Sequence, residues 1–212
     1  MKKIIGLMLC LLAGSAQASV ILGPTAAAVS DVDTSYLGTN PYNMIDQSGL
    51  SASYVSGVTD FASFTSTTTA HYDSTLSTYG LGGVAGLGSF YFDLGGLFDV
   101  DSIAIWGQDC CTATMTSYDL YASDTFGAGG SRTLIGRFSA GTTPSAFAHT
   151  FATISARYFE VDVITNAGYA YATRINEIVF GGSVMAVPEA SSLLILAIAL
   201  IGFGVTRSKK IR

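Results

Sequence analysis

The stretch Arg157–Thr165, RYFEVDVIT, alternates between apolar and polar side chains in its central part, from Phe159 to Val163. Phe159, Val161 and Val163 are apolar, and the residues of the opposite parity are Tyr158, Glu160 and Asp162. Because successive side chains of a β-strand point to opposite faces, the pattern predicts a strand with one face in a core and the other in water. Half-buried strands of this kind are typical of antiparallel sheets.

The same signal recurs along the chain between residues 19 and 182, where helix signals are nearly missing. Short runs of residues with high β-propensity are separated by Gly, Ser, Thr and Asp. The further predicted strands are SFYFDLGG (89–96), DSIAIWG (101–107), TSYDLYAS (116–123), TLIGRFS (133–139), AFAHTFA (146–152) and RINEIVFGG (174–182). At least seven strands at short intervals predict an all-β protein with one domain, 19–182, built as a two-sheet sandwich or jelly roll.

Residues 56–88 differ, because they are rich in threonine and glycine and have few strong apolar anchors. This composition predicts long loops that include at most one edge strand. The loops would serve either in binding or as a tolerated insertion.

The charge of this region restricts its partners. Between Ser19 and Val187 there are four arginines, no lysine and fourteen acidic residues. No basic patch is available to neutralise phosphates, which argues against nucleic-acid binding. The acidic side chains also offer oxygen ligands to a hard cation.

The N-terminus, MKKIIGLMLCLLAGSAQA, combines two lysines, a short apolar run and small residues at its end. These features predict a signal peptide at 1–18, with export by the Sec machinery and cleavage by signal peptidase after Ala18. The alternative is an uncleaved anchor.

After that cleavage the only cysteines are the adjacent Cys110 and Cys111. Neighbouring Cα atoms lie about 3.8 Å apart, whereas disulfides prefer about 4.4–6.8 Å. A strained vicinal disulfide, two free thiols and a bond to another molecule all remain open.

No pattern of catalytic residues stands out. His71 and His149 are the only histidines, and neither belongs to a nucleophile, zinc or phosphate-binding motif. Paired carboxylates such as Glu160 and Asp162 lie two apart on a strand, where such pairs are usually solvated rather than set in a glycosidase cleft. We expect a protein that is not an enzyme.

Four segments together resemble the discoidin or coagulation factor 5/8 type C domains, which are galactose-binding-like jelly rolls that include many carbohydrate-binding modules. In order they are NPYNMIDQSGLSASYVSG (40–57), FYFDLGGLFDVDSIAIWG (90–107), SYDLYAS (117–123) and RYFEVDVITNAGYAYATRINEIVFGG (157–182). The resemblance extends over about residues 34–182 and implies a jelly roll.

The same resemblance implies one calcium ion, Ca²⁺, near the joined ends of the domain. The matching carboxylates are Asp46 and Glu177, with backbone carbonyls of Asn43, Gly49 and Ser51 as further oxygen ligands. The glycine of the expected Asp-Gly turn is displaced by two positions here. The alternative is that Asp46 caps a turn and Glu177 lies on the wet face of a strand.

The resemblance also implies sugar binding by aromatic and polar residues of the apical loops. The predicted ligand-binding residues are Trp106, Tyr72, Asp109 and Arg174. Further candidates are Tyr36, Tyr79, Tyr169, Tyr171 and His71. For Trp106, core packing with its N–H paired is the alternative.

The C-terminus, VPEASSLLILAIALIGFGVTRSKKIR (187–212), carries a short motif, an apolar helix predicted at 191–206 and a basic end. The fifteen apolar or small residues from Ser191 to Val205 would reach about 22 Å as a helix, a marginal span for a hydrocarbon core of about 30 Å, and the basic end is expected to stay cytoplasmic. This arrangement resembles the PEP-CTERM sorting signal, also catalogued as an ice-binding-protein C-terminal motif. Val187, Pro188 and Glu189 match the motif, and Ala190 stands where a second proline is usual.

This second resemblance implies processing by an exosortase, with residues 183–187 as the linker to the domain. A plain C-terminal membrane anchor is the alternative. We therefore expect an exported protein, held in the inner membrane by its C-terminal helix until processed and then located at the cell surface or in the extracellular matrix. There it would bind carbohydrate or exopolysaccharide, or serve as a structural matrix protein with no small ligand.

Overall fold

The computed structural model describes residues 18–30, 40–70, 79–81, 87–107, 113–168 and 173–184, with 79–81 and 184 described by their backbone alone. These residues form eight strands, one 3-10 helix (Pro41–Met44) and one α-helix, α1 (Phe61–Thr67). The strands are β1 (Val20–Leu22), β2 (Ala26–Val29), β3 (Tyr79–Leu81), β4 (Ser89–Gly107), β5 (Met115–Ser123), β6 (Arg132–Ser139), β7 (Phe147–Asn166) and β8 (Thr173–Val184).

All paired strands are antiparallel, in the order β1-β8-β4-β7-β5-β6, with β2 added to β4 and β3 to β8. The all-β prediction is confirmed, and every strand predicted above lies in a strand of the structure. Two pairs of predicted strands are continuous: SFYFDLGG and DSIAIWG are the two halves of β4, and AFAHTFA and RYFEVDVIT both belong to β7.

The long strands β4 and β7 bend and contribute to both layers of a sandwich. Their register shifts between Asp93 and Phe98, where Gly95 has a φ of 80° that favours glycine. The first half of β4 joins the end of β7, β5 and β6 in one layer, while its second half joins β8, β1 and the start of β7 in the other. The two layers meet where the Phe159 and Phe180 rings lie 4.5 Å apart between centroids.

The main core lies between the layers and follows the predicted alternation. Phe159, Val161 and Val163 are all buried there. The same cluster contains the inward side chains of β4, β5 and β8: Phe90, Phe92, Ile103, Ile105, Tyr118, Leu120, Ile175, Ile178 and Phe180. Binary patterning therefore identified the inward faces correctly.

A second core corrects the prediction of loops for residues 56–88. Helix α1 begins after Asp60, whose Oδ1 accepts the N–H of Ser63 at 2.8 Å as an N-cap. Phe61 and Phe64, three positions apart on one helix face, are buried against Trp106 of β4 and the outward side of β8. This part of the segment is a packed element and not an exposed loop.

Strand β8 lies unusually close to β4. A Cβ atom on Gly182 would lie 2.1 Å from the carbonyl oxygen of Asp99, so only glycine allows this approach. The strand continues to Val184, two residues into the predicted linker at 183–187.

In the part of the chain that the structure describes, no helix is long and apolar enough to cross a membrane. The predicted membrane helix at 191–206, the linker residues 185–187, and signal-peptide residues 1–17 lie outside the described residues.

Candidate functional site

The loop after the 3-10 helix contacts the last strand at Glu177. The backbone N–H of Gln47 donates to Oε2 of Glu177 at 3.0 Å. Gln47 has a φ of 65°, and the neighbouring Asp46 closes the turn by accepting from the N–H and the hydroxyl of Ser48 at 2.9 and 2.6 Å. The structure thus brings together the two segments that the resemblance assigned to one metal site.

Glu177 is fully buried, which contradicts its placement on a wet strand face. Its Oε1 has no hydrogen-bond partner among the described residues. The pKa of Glu177 is raised to about 9, mainly by desolvation and also by the nearby charge of Asp46, against the lowering effect of the Gln47 N–H and the Tyr54 hydroxyl. Without a positive partner this carboxyl therefore holds a proton at neutral pH.

The donor set fits a hard cation. A buried carboxylate with one unpaired oxygen, beside a second carboxylate on an exposed turn, is a place where a divalent cation would offset the cost of burial. No three His, Cys, Asp or Glu side chains converge within the described ranges. Further ligands would thus have to be backbone carbonyls or water.

The three residues proposed to supply carbonyls lie along the same loop. Asn43 belongs to the 3-10 helix and Gly49 is buried in the turn. Ser51 is exposed, and its Oγ accepts the N–H of Thr69 at 3.0 Å, which fixes the end of the loop against the end of α1.

Gln47 and Tyr54 belong to this junction although sequence reasoning did not select them. Oε1 of Gln47 accepts the N–H of Tyr54 at 2.8 Å. Burial, together with Glu177, raises the pKa of Tyr54 above its ordinary value. The only sequence feature that pointed to them was their position in segment 40–57, the first of the four segments that carry the family resemblance.

Trp106 lies in the second core. Its side chain is fully buried, and its indole N–H donates to the carbonyl of Thr68 at 3.0 Å. The ring packs against Phe64 with centroids 6.1 Å apart. The structure therefore corrects the prediction of a sugar-stacking tryptophan in favour of the core alternative.

Arg174 lies at the start of β8, half-buried, where several strand ends meet. Its N–H donates to the carbonyl of Ala113 at 2.8 Å, and its backbone pairs with Gly80 of β3. The other residues singled out in the sequence for ligand binding or a disulfide lie outside the described residues, so their roles remain predictions. They are Tyr36, Tyr72, His71, Asp109, Tyr169, Tyr171, and the pair Cys110 and Cys111; Tyr79 is described by backbone alone.

The sorting motif residues Val187, Pro188 and Glu189 also lie outside the described residues. Exosortase processing and membrane anchoring therefore stay predictions.

The outward face of β7 is less solvated than predicted. Glu160 is only 6% exposed, because Arg132 covers it with Nη1 at 2.5 Å from Oε1. Two further ion pairs lie on the same layer. Arg137 pairs with Asp119 and Arg157 with Asp93, each through two hydrogen bonds. The paired carboxylates Glu160 and Asp162 thus belong to a network with arginine.

No family model and no curated protein matches the sequence. Several solved structures match over nearly their whole length. A family 32 carbohydrate-binding module of NanJ from Clostridium perfringens, solved with galactose, has a TM-score of 0.53 and 17% identity, covering 77% of this chain and 99% of the module. A second family 32 module from the same organism, solved with GalNAc-β-1,3-galactose, has a TM-score of 0.52 and 12% identity, covering 76% and 98%.

A variant of chitosan-binding module 1 from a chitosanase/glucanase of Paenibacillus sp. IK-5 has a TM-score of 0.51 and 16% identity, covering 77% of this chain and 99% of the module. At these identities the likeness concerns the fold. Together with the strand order and the two-layer core, it shows that the described chain has the β-sandwich fold of these family 32 carbohydrate-binding modules.

Proposed function

We propose that this chain is an exported, non-catalytic protein that binds carbohydrate, most directly an extracellular polysaccharide, through its β-sandwich. The observation that carries the proposal is the shared fold over 98–99% of modules that were solved with galactose or with GalNAc-β-1,3-galactose. The acidic, lysine-free composition of the domain supports a partner that is neither nucleic acid nor a phosphate-rich surface.

The binding residues proposed at the loop end are Tyr72, Asp109 and Arg174. What supports them is the convergence of strand ends around Arg174, where β3, β8 and the residues before β5 meet through backbone hydrogen bonds. Loops held by a rigid sandwich are common positions for binding residues. Arginine supplies donors for sugar hydroxyls at such a place.

We also propose that Asp46 and Glu177 hold one Ca²⁺, with the carbonyls of Asn43, Gly49 and Ser51. A bound calcium supplies charge neutralisation and a bridge between the early loop and the last strand. The buried, unpaired oxygen of Glu177 supports this assignment. The metal holds the loop in place and takes no part in a reaction.

The proposed route of the protein follows from its two ends. The signal peptide at 1–18 directs export, and the helix at 191–206 holds the chain in the inner membrane. An exosortase that recognises Val187, Pro188 and Glu189 then releases it to the cell surface or matrix.

A glycan array tests the carbohydrate proposal. The fragment Ser19–Val184 contains every residue of both hydrophobic clusters and is a suitable probe. We expect binding to at least one neutral glycan, and weaker binding by Arg174→Ala. The control is Arg137→Ala, which removes a solvent-exposed arginine paired with Asp119 on another part of the sandwich. A blank array across neutral, amino and acidic glycans would overturn the proposal in favour of a structural matrix protein.

A further inference from the structure

A polar cavity of about 340 Å³ lies on the outward face of the layer formed by β4, β7, β5 and β6. It is separate from the loop end at Arg174 and from the Glu177 junction. Its lining residues are Ser89, Tyr91, Ser123, Gly127, Ala128, Gly129, Gly130, Arg132, Glu160 and Asp162. Its volume falls in the ordinary range for small-molecule sites, about 300–1,000 Å³.

The register of the strands builds the cavity. Tyr91 of β4 and Tyr121 of β5 flank Glu160 of β7 on either side, and Ser89 lies opposite Asp162 in the next row. The loop between β5 and β6 then passes over this face. Strand pairing therefore forms the floor of the cavity, and residues 127–130 of the loop border it from above.

The charged groups of the cavity are fixed before any ligand arrives. The guanidinium of Arg132 lies 4.1 Å from the Tyr121 ring centroid and bonds Glu160 through Nη1. The Ser89 hydroxyl lies 2.7 Å from Oε1 of Glu160 and 3.2 Å from Oδ1 of Asp162. Such preorganisation lowers the entropy that binding would cost.

Two of these side chains retain hydrogen-bonding capacity toward the cavity. The Arg132 side chain is 42% exposed, and only its Nη1 bonds within the described chain. Asp162 is 29% exposed, and its Oδ2 lies 4.0 Å from Nη1 of Arg132, too far for a hydrogen bond. Arg132 thus offers a hydrogen-bond donor, and Asp162 an acceptor, to the same cavity.

These charges select the class of ligand. An anionic ligand would meet Glu160 and Asp162, whereas a cationic ligand would meet Arg132. The polar lining disfavours an apolar molecule. Hydroxyl groups both donate and accept, so neighbouring hydroxyls of a neutral sugar satisfy Arg132 and Asp162 together.

The covering loop has the small residues that such a ligand requires. Gly127 and Gly129 have φ values of 94° and 101°, which favour glycine, and no atom lies within 4 Å of a Cβ placed on either. With Ala128 between them, backbone rather than side chain borders the open space. A sugar ring can therefore approach the strand face without a bulky side chain in its way.

We propose that this outward-face cavity is a binding site for one neutral sugar residue, held by Asp162 and Arg132 beneath the 127–130 loop. The proposal deepens the carbohydrate-binding function proposed above and rests on it, but it places the contact on the sheet face. In this site Asp162 accepts from a sugar hydroxyl and Arg132 donates to its neighbour. Glu160 is a positioning residue, since its Oε1 accepts from both Arg132 and Ser89 and so holds Arg132 in place.

Calorimetric titration of the full chain, in a detergent without a sugar headgroup, tests this site. The probes are three matched series built on galactose, glucose and mannose, each as the neutral sugar, the amino sugar and the uronic acid. We expect one neutral sugar to bind more tightly than its charged counterparts. Asp162→Ala should weaken that binding about tenfold or more, and Ala128→Trp should block it by filling the cavity.

The matched control is Asp99→Ala, since Asp99 is also half-buried and also accepts from a serine hydroxyl, that of Ser155. It should leave the affinity unchanged. If a neutral sugar binds but neither Asp162→Ala nor Ala128→Trp weakens it, while Arg174→Ala does, the sheet-face site is wrong and the carbohydrate function stands. If none of the neutral sugars binds, this site is refuted, and a blank glycan array would additionally refute the function.

Discussion

The backbone N–H of Gln47 donates to Oε2 of Glu177 at 3.0 Å across 130 residues of sequence. This bond closes the sandwich by joining an early loop to its last strand. The other carboxylate oxygen of Glu177 is buried and unpaired within the described chain. The protein therefore provides a hydrogen bond to only one of the two Glu177 oxygens. The contribution of this junction to the free energy of unfolding depends on what neutralises the carboxylate.

We predict that calcium stabilises the domain through Glu177. Binding to the native state alone adds about 2.7 kcal/mol at a hundredfold excess over Kd. In a domain of this size that raises the Tm by several degrees, at about 2–4 °C per kcal/mol. Differential scanning fluorimetry of the Ser19–Val184 fragment in calcium and in EDTA measures the shift.

Glu177→Gln and Asp46→Ala should each abolish this shift, whereas Asp99→Ala should keep it. Asp99 is a carboxylate outside the junction and controls for a general loss of negative charge. Identical melting curves of the wild type in calcium and EDTA would show that the two carboxylates are ordinary turn and core residues.

A second prediction concerns pH in the absence of calcium. The pKa of Glu177 is about 9 in the folded state and 4.5 in its reference state, so the folded chain binds one more proton between those values. Stability should consequently fall as pH rises through this window, by up to about 1.4 kcal/mol per unit. Urea titrations in EDTA at several pH values measure the slope.

Glu177→Gln serves as the control for this slope, because its amide does not titrate. The variant should lack the loss of stability, and at pH 8 it should be more stable than the wild type in EDTA. A wild-type slope that persists in Glu177→Gln would assign the pH dependence to other groups.

The strands were predictable because their signal is local. In β7 the alternation of Phe159, Val161 and Val163 directly reflects the pleat, and the structure confirms it. The continuity of the long strands was not predicted: the sequence pattern indicates that one strand ends at Gly96 and the next begins at Asp101, whereas in the structure Gly95 lies at a bend within one strand that contributes to both layers.

Helix α1 was missed because it is short and polar on its outer side. Its two anchors, Phe61 and Phe64, stand among serines and threonines, which favour loops by propensity. Packing of these rings against Trp106 stabilises the helix, and that contact lies 42 residues away in sequence for Phe64. Because the sequence does not reveal this contact, Trp106 could also be interpreted as a ligand-binding residue.

The burial of Glu160 was also invisible in the sequence. Alternation places it correctly on the outward face of β7, but only the pairing of β5 and β6 brings Arg132 over it. By contrast, the meeting of the Asp46 turn and Glu177 was implied by resemblance to a known fold. No local spacing specifies a contact across so long a stretch of chain.

A third prediction concerns the sorting signal. Recognition by an exosortase needs a defined extended motif, and Pro188 biases the residue before it away from helix. Replacing Pro188 and Glu189 by alanine should leave full-length protein in the inner membrane, as seen by fractionation and immunoblotting. A variant with Leu194 and Leu196 exchanged for isoleucine keeps the apolar area and should be processed normally. Unchanged delivery of the alanine variant would identify the helix as an ordinary anchor.

The last prediction concerns the second core. The Phe64 ring stands between Tyr54 and Trp106, with centroids 5.6 and 6.1 Å away in edge-on geometry. Phe64→Ala removes both contacts and leaves a cavity beneath α1, which typically costs about 3–5 kcal/mol for a buried phenylalanine. Val58→Ala is the control, because Val58 is 71% exposed just before the helix and should change stability little. Urea unfolding in calcium measures both variants. Equal midpoints for Phe64→Ala and the wild type would mean that α1 rests on the sheet without stabilising it, and that Trp106 is held by the β-sandwich alone.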